Sequence, residues 1–240
     1  MKKENYYLMM DAWGKRPGYP IYFDYDIPCD RSGWEDSCLV QCPQEEIELR
    51  VKNPKIEFDF CNSSDNYFFS TRLWEVICEY RSLTPKLKPI KFFGKNRKIL
   101  SSKEYVVVCF TDENDEKNRY IDRMQSEYVV PIQTYSARAE LVNPAIRYEL
   151  LNQFDITTSD LQGYRKMLVV SETFMKDERL KEMNLEFLPL EEAAKILLYS
   201  DESRKKQYGL QDVSEFQKMK SVKGKELDGK ELNGMRIQFG

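Results

Sequence analysis

The sequence predicts an α+β fold: a mainly antiparallel, curved sheet with a few peripheral helices. Three observations carry this. Short alternating or apolar runs bounded by Gly, Pro, Asn and Asp recur along the chain, as half-buried strands do. Two apolar runs, Tyr67-Phe68-Phe69-Ser70 and Leu168-Val169-Val170-Ser171, each end on a serine and lead into residues at helical spacing, then into another short apolar run. Third, aromatics make up 13% of the 240 residues. That content belongs to a chain with a packed core rather than to a disordered one.

The elements follow in order. Tyr6–Met10 is a first strand. From Asp11 to Gln44 the chain is rich in Gly, Pro, Asp and aromatics with little periodicity, and irregular segments of that length are usually functional when ordered. Ile47–Val51 and Ile56–Phe60 alternate as strands. Ser70 or Thr71 starts a helix carrying Leu73, Trp74, Val76, Ile77 and Tyr80, closed by Pro85. Leu87–Phe93 is a strand in which Pro89 indicates a sheet edge. Tyr105–Phe110 is apolar throughout and therefore central. Asp112 to Asn118 is a charged turn, and Glu127–Thr134 a further strand. Asn143-Pro144 leads either into a short helix or into a strand at Ile146–Leu150.

Met167–Val170 is a strand. Ser171 caps a helix with Phe174, Met175, Leu180 and Met183, followed by a strand at Leu185–Leu188 and a helix from Leu190 to Tyr199. A charged tail from about residue 201 ends in the pair Lys225–Gly229 and Lys230–Gly234, read as turn-rich. The whole chain, residues 1–240, is taken as one domain.

Histidine is absent. This excludes a His-based triad, a His-ligated zinc and a histidine proton shuttle. No phosphate-cradling glycine run occurs. Val170-Ser171-Glu172 lacks the flanking glycines and histidine of a hydrolase nucleophile turn, so Ser171 reads as a helix cap. Asp112–Glu116 lacks the glycine and spacing of a calcium loop. Cys29, Cys38, Cys42 and Cys61 could ligate zinc, but no CxxC unit supports it. Cys78 and Cys109 read as buried thiols. No cofactor is expected. With no apolar stretch of membrane-spanning or signal-peptide length, the protein is expected to be soluble and cytoplasmic.

Charge is segregated. Acids dominate from Tyr22 to Asp65, whereas Arg81 to Lys103 holds eight cations and no acid. The two fields either steer a partner or attract each other within the fold, and the second is the simpler reading. Interleaved Ile90, Phe92 and Phe93 make residues 81–103 a nucleic-acid-binding candidate, but outward lysines on an edge strand explain the same pattern. The 40 acids leave a carboxylate-based carbohydrate-active enzyme open without selecting a pair. The acidic aromatic segment is the most distinctive candidate for binding a basic protein. Its carriers are Tyr22, Asp24, Asp26, Trp34, Glu35 and Asp36. The competing reading places Trp34 and the tyrosines in the core.

The layout resembles bacterial polymorphic-toxin immunity proteins, in particular the immunity protein 43 family and its relatives. The features that carry it are Tyr6-Tyr7-Leu8, the helix opening Phe68-Phe69-Ser70-Thr71-Arg72-Leu73, and the strands Leu87–Phe93 and Tyr105–Phe110. Val169-Val170-Ser171-Glu172 and Leu185-Glu186-Phe187 complete it. The resemblance spans most of residues 5–190 and transfers no binding residue. It implies a bacterial cytosolic inhibitor without catalysis of its own, whose partner is a cognate toxin protein.

Overall fold

A computed structural model describes residues 4–11, 39–51, 55–63, 66–94, 96–111, 119–130, 138–161, 167–194, 220–232 and 235–239. The fold is α+β, with open antiparallel and mixed sheets and short helices, as the sequence predicts. The strands are divided among separate sheets.

The first sheet has five strands. They are β2 (Ile47–Arg50), β3 (Phe60–Ser63), β4 (Asn66–Ser70), β5 (Pro85–Phe93) and β6 (Tyr105–Phe110). Their order is β2-β5-β6-β4-β3, and only the β2–β5 pair is parallel. β6 is central, as its unbroken apolar run requires. Pro89 lies in β5 opposite Val106, one residue before Ile90, where the pairing with β2 begins. The proline therefore marks the end of a ladder rather than a whole edge strand.

The second sheet combines β1 (Tyr6–Asp11) with β9 (Ile156–Thr158), β10 (Leu168–Ser171) and β11 (Leu185–Pro189), in the order β11-β1-β10-β9. All its pairs are antiparallel. A third sheet joins β7 (Glu127–Val129), β8 (Arg138–Asn143), β12 (Val222–Lys223) and β15 (Gln238–Phe239), and a small hairpin pairs β13 (Glu231–Leu232) with β14 (Met235–Arg236).

Both serines cap helices. Ser70 stands at an extended backbone angle before α1 (Thr71–Ile77) and accepts from the Leu73 N–H at 3.3 Å. Ser171 does the same before α3 (Glu172–Met175), accepting from Phe174 N–H at 3.2 Å. Each oxygen satisfies a backbone donor that the first helical turn leaves without a partner. The helices are shorter than the spacing predicts. α1 ends at Ile77, well before Pro85, and leaves Cys78 exposed at its C-cap rather than buried. Cys109 is half-buried. α3 stops at Met175, and Leu180 belongs to a separate 3₁₀ turn, Glu178–Glu182, capped by Asp177. Ile56 and Phe58 are buried with the predicted alternation but lie before the strand, which begins at Phe60. After Pro144 the chain forms the short helix α2 (Tyr148–Leu151).

Three apolar layers hold the first two sheets and their helices together, and a smaller cluster of Tyr128, Ala139 and Leu227 underlies the third sheet. The middle layer lies between the two larger sheets. It takes Tyr67, Phe69, Val106 and Val108 from one, Met9, Leu168 and Val170 from the other, and Leu73, Trp74, Ile77 and Phe174 from the helices. The outer face of the first sheet, through Leu49, Phe68 and Val107, is covered by Leu39, Ile56 and Phe58. The outer face of the second, through Leu8 and Val169, is covered by Tyr120, Leu151, Leu161 and Ala193. Alternate residues of β4 and β10 thus point into different layers, the period-2 consequence of a pleated strand buried on both faces.

Candidate functional site

Among the described residues, two similar clusters of polar groups lie beside the capping serines. Asp59 is 4% exposed and precedes β3. Its carboxylate accepts from Ser70 Oγ at 2.8 Å and from Lys103 Nζ at 2.8 Å, with the Asn184 N–H at 3.4 Å. Tyr105 closes the cluster, its hydroxyl donating to the Phe58 carbonyl at 3.1 Å. Burial pushes that phenol well above its ordinary range, so it stays a protonated donor.

The second cluster surrounds Asp155. Its carboxylate receives Arg81 Nε at 2.9 Å, Arg81 Nη2 at 3.1 Å and the Arg81 N–H at 3.1 Å. A hydrogen bond from Ser171 adds to these. Burial disfavours the charge, but the Arg81 guanidinium and backbone N–H outweigh it and hold the carboxyl below its usual range. Tyr6 Oη lies 3.3 Å from the Phe154 carbonyl and 3.2 Å from Asn152 Oδ1. Burial, then the charges of Glu4 and Asp155, push this phenol far up.

A third, more exposed group joins α1 to the 3₁₀ turn. Arg179 forks onto Glu79 at 2.7 and 2.8 Å and onto Asp177 at 2.7 Å, and Tyr80 Oη donates to Asp177 at 2.8 Å. The Arg179 hydrogen bonds depress both carboxyls. A general acid needs a carboxyl shifted upward. Asp155, Asp177, Glu79 and Glu127 are all shifted downward and held as carboxylates. The Asp59–Lys103 and Asp155–Arg81 clusters each balance one carboxylate with one cation, whereas Arg179 is shared between two carboxylates.

The opposed charge fields meet within the fold. Lys91 pairs with Glu46 at 2.9 Å and Lys103 with Asp59. Lys88 Nζ donates to the Cys42 carbonyl and, at 2.8 Å, to that of Gln44. With Arg81 on Asp155, four cations of the 81–103 segment are engaged by the protein itself. This leaves less of the segment for phosphate contacts.

Tyr22, Asp24, Asp26, Trp34, Glu35 and Asp36 lie outside the described residues, as do Cys29, Cys38 and the Asp112–Asn118 turn. Cys42 and Cys61 share the layer outside the first sheet. Among the described residues, no group of three or more Cys, Asp or Glu is placed to hold a metal ion, and no helix is long and apolar enough to cross a membrane. No protein-family model and no curated protein matches this chain.

The sequence reading missed Asp59 and Asp155. Each precedes a short strand, and nothing in its neighbourhood distinguishes it from other acids. Their partners Lys103, Arg81 and Asn184 lie 44, 74 and 125 residues away, so no local spacing connects them. The serines were legible because capping is local.

Proposed function

We propose that this chain is a non-catalytic immunity protein that binds a cognate toxin domain and neutralises it by covering its active site. The observation that carries the reading is the state of the buried polar groups. Ser70 and Ser171 are spent on helix capping, and the carboxylates beside them are ion-paired within the chain. The resulting downward shift of Asp155 opposes acid catalysis, and there is no histidine to replace it. The same groups that would be candidate chemistry in an enzyme here make a rigid scaffold, which suits a protein that acts by presenting a surface.

The partner-facing segment in this reading is the acidic aromatic stretch around Asp24, Asp26 and Trp34. Aromatic anchors supply contact area, and carboxylates speed capture of a basic toxin by steering. A stable cover buries about 1,600 Å² in total. Binding takes place in the cytoplasm of the producing bacterium.

The proposal expects the neighbouring gene to encode a protein with a C-terminal toxin domain, and the decisive experiment is co-expression with that domain. Growth rescue and co-purification of a stable complex are the expected outcome. Unrestrained toxicity with no complex removes the proposal. Reversing Asp24, Asp26, Glu35 and Asp36 together is expected to slow association and flatten its salt dependence. An unchanged on-rate moves the interface elsewhere.

A further inference from the structure

Four of the five strands of the first sheet correspond one for one to the four strands of the second, and β2 is an addition to the first. In the first, the order β5-β6-β4-β3 places the strand before the helix third and the strand after the helix first. The order β11-β1-β10-β9 does the same in the second. The pairing register fixes the match residue by residue. Ser70 faces Tyr105 and Ser171 faces Tyr6, so Tyr105 corresponds to Tyr6 and Val106 to Tyr7. On its other side Val106 faces Pro89 and Tyr7 faces Pro189, which matches the prolines independently. Phe60 faces Phe69 and Ile156 faces Val170, which matches the hairpins.

The bonds between strands repeat too. Ser70 N–H donates to the Asp59 carbonyl at 2.8 Å, and Ser171 N–H to that of Asp155 at 2.8 Å. Thr71 N–H donates to the Glu104 carbonyl at 2.9 Å, and Glu172 N–H to that of Asn5 at 2.8 Å. Each tyrosine hydroxyl reaches the carbonyl of the residue before the aspartate, Phe58 or Phe154. Contacts between the sheets are reciprocal. The Arg81 N–H, after α1, meets Asp155, and the Asn184 N–H, after α3, meets Asp59. Reciprocal contacts are the mark of a two-fold arrangement.

In chain order, β1-β3-β4-α1-β5 is followed by β6-β9-β10-α3-β11. The insert after each first strand also covers an equivalent surface. Leu39 and Phe58 of the first insert share a buried layer with Phe68, while Tyr120 and Leu151 of the second share one with Val169.

We infer that the chain is a tandem repeat, residues 6–93 and 105–189, whose two units exchange their first strands. β1 belongs to the first repeat but is built into the sheet of the second, and β6 makes the opposite crossing. Each exchanged strand is paired on both sides, and withdrawing it strips hydrogen bonds from two neighbours and exposes buried Leu8 and Met9, or Val107 and Val108. Neither repeat holds a complete sheet. The two are therefore one interlocked body, a pseudo-dimer within one chain, and the turn that joins β5 to β6 is not needed to keep them together.

The test is a full-length protein with a site-specific protease sequence inserted at the exposed Asn96-Arg97 turn, cut after folding. The two pieces are expected to co-elute as a 1:1 body with the far-ultraviolet circular dichroism of the uncut chain. Each piece isolated through denaturant loses its cooperative melt, and mixing restores it. Pieces that part under native conditions, or either one melting cooperatively alone, overturn the inference. The uncut Leu8→Ala variant provides an independent reading by hydrogen exchange. Amides in β4 and β6 are expected to exchange about tenfold faster or more, together with those in β10 and β11. A loss confined to β1, β10 and β11 overturns the interlock.

Discussion

Arg81 forks onto both oxygens of Asp155, at 2.9 and 3.1 Å, while its own carbonyl accepts the N–H groups of Asp155 and Ile156 at 2.8 and 3.0 Å. The chain four residues beyond α1 is thereby tied to the start of β9 by side chain and backbone together. The carboxylate is the more buried partner, with 16% of its side chain exposed against 60% for the arginine. Replacing Arg81 by methionine leaves that carboxylate without its strongest donors. The expected loss is about 1–2 kcal/mol, discounted because the arginine is largely in water. Urea titration checks it. An unchanged midpoint contradicts a stabilising role for the pair.

The ion pairs also set the response to acid. Asp155, Asp177 and Glu79 have folded-state pKa values below their ordinary ones. The unfolded chain therefore takes up protons first. Stability is fully present above the unfolded carboxyl values, about 4, and falls as pH drops through the folded ones. Thermal melts from neutral pH downward are expected to hold level to about pH 5 and then decline. The Asp155→Asn variant is expected to show a shallower decline.

The two caps make a matched pair. Ser70→Ala and Ser171→Ala each remove an acceptor for a buried backbone N–H and a partner for the neighbouring aspartate. Each is expected to cost about 1–2 kcal/mol. The two costs should be similar, because the surroundings are equivalent. Chemical denaturation of the single variants gives the comparison, and a large cost on one side alone breaks the equivalence.

Phe174 is the principal anchor of a four-residue helix. It is fully buried in the middle layer and meets Tyr80 edge-to-face at 5.0 Å between ring centres. Phe174→Ala is expected to cost about 3–5 kcal/mol. By contrast, Leu87→Ser, at a side chain 44% exposed, is expected to leave the melting temperature unchanged.

Gly224 opens the helical turn Gly224–Leu227 next to the third sheet. A Cβ there would lie 2.0 Å from the Arg123 carbonyl oxygen, a backbone atom that cannot simply rotate away. Gly224→Ala is expected to cost about 1–3 kcal/mol. Hydrogen exchange should show the loss concentrated in β7 and β12, and equal loss throughout the molecule would contradict this placement.

The local sequence determined much of this protein. Alternation and apolar runs identified β1, β2, β5, β6, β10 and β11, because burial on one or both faces of a pleated strand writes a period into the chain. Ser70 and Ser171 marked the helix starts, since a cap acts over three residues. The same locality explains the overlong helices: Leu180 and Met183 continue a helical spacing, yet Asp177 caps a new turn between them and α3. The partition into separate sheets, the pairing of Asp59 with Lys103 and Asp155 with Arg81, and the passage of β1 into the second sheet were decided by tertiary structure. Each depends on residues tens to hundreds of positions apart, and a strand's own pattern specifies how it is buried but not which neighbour supplies its hydrogen bonds.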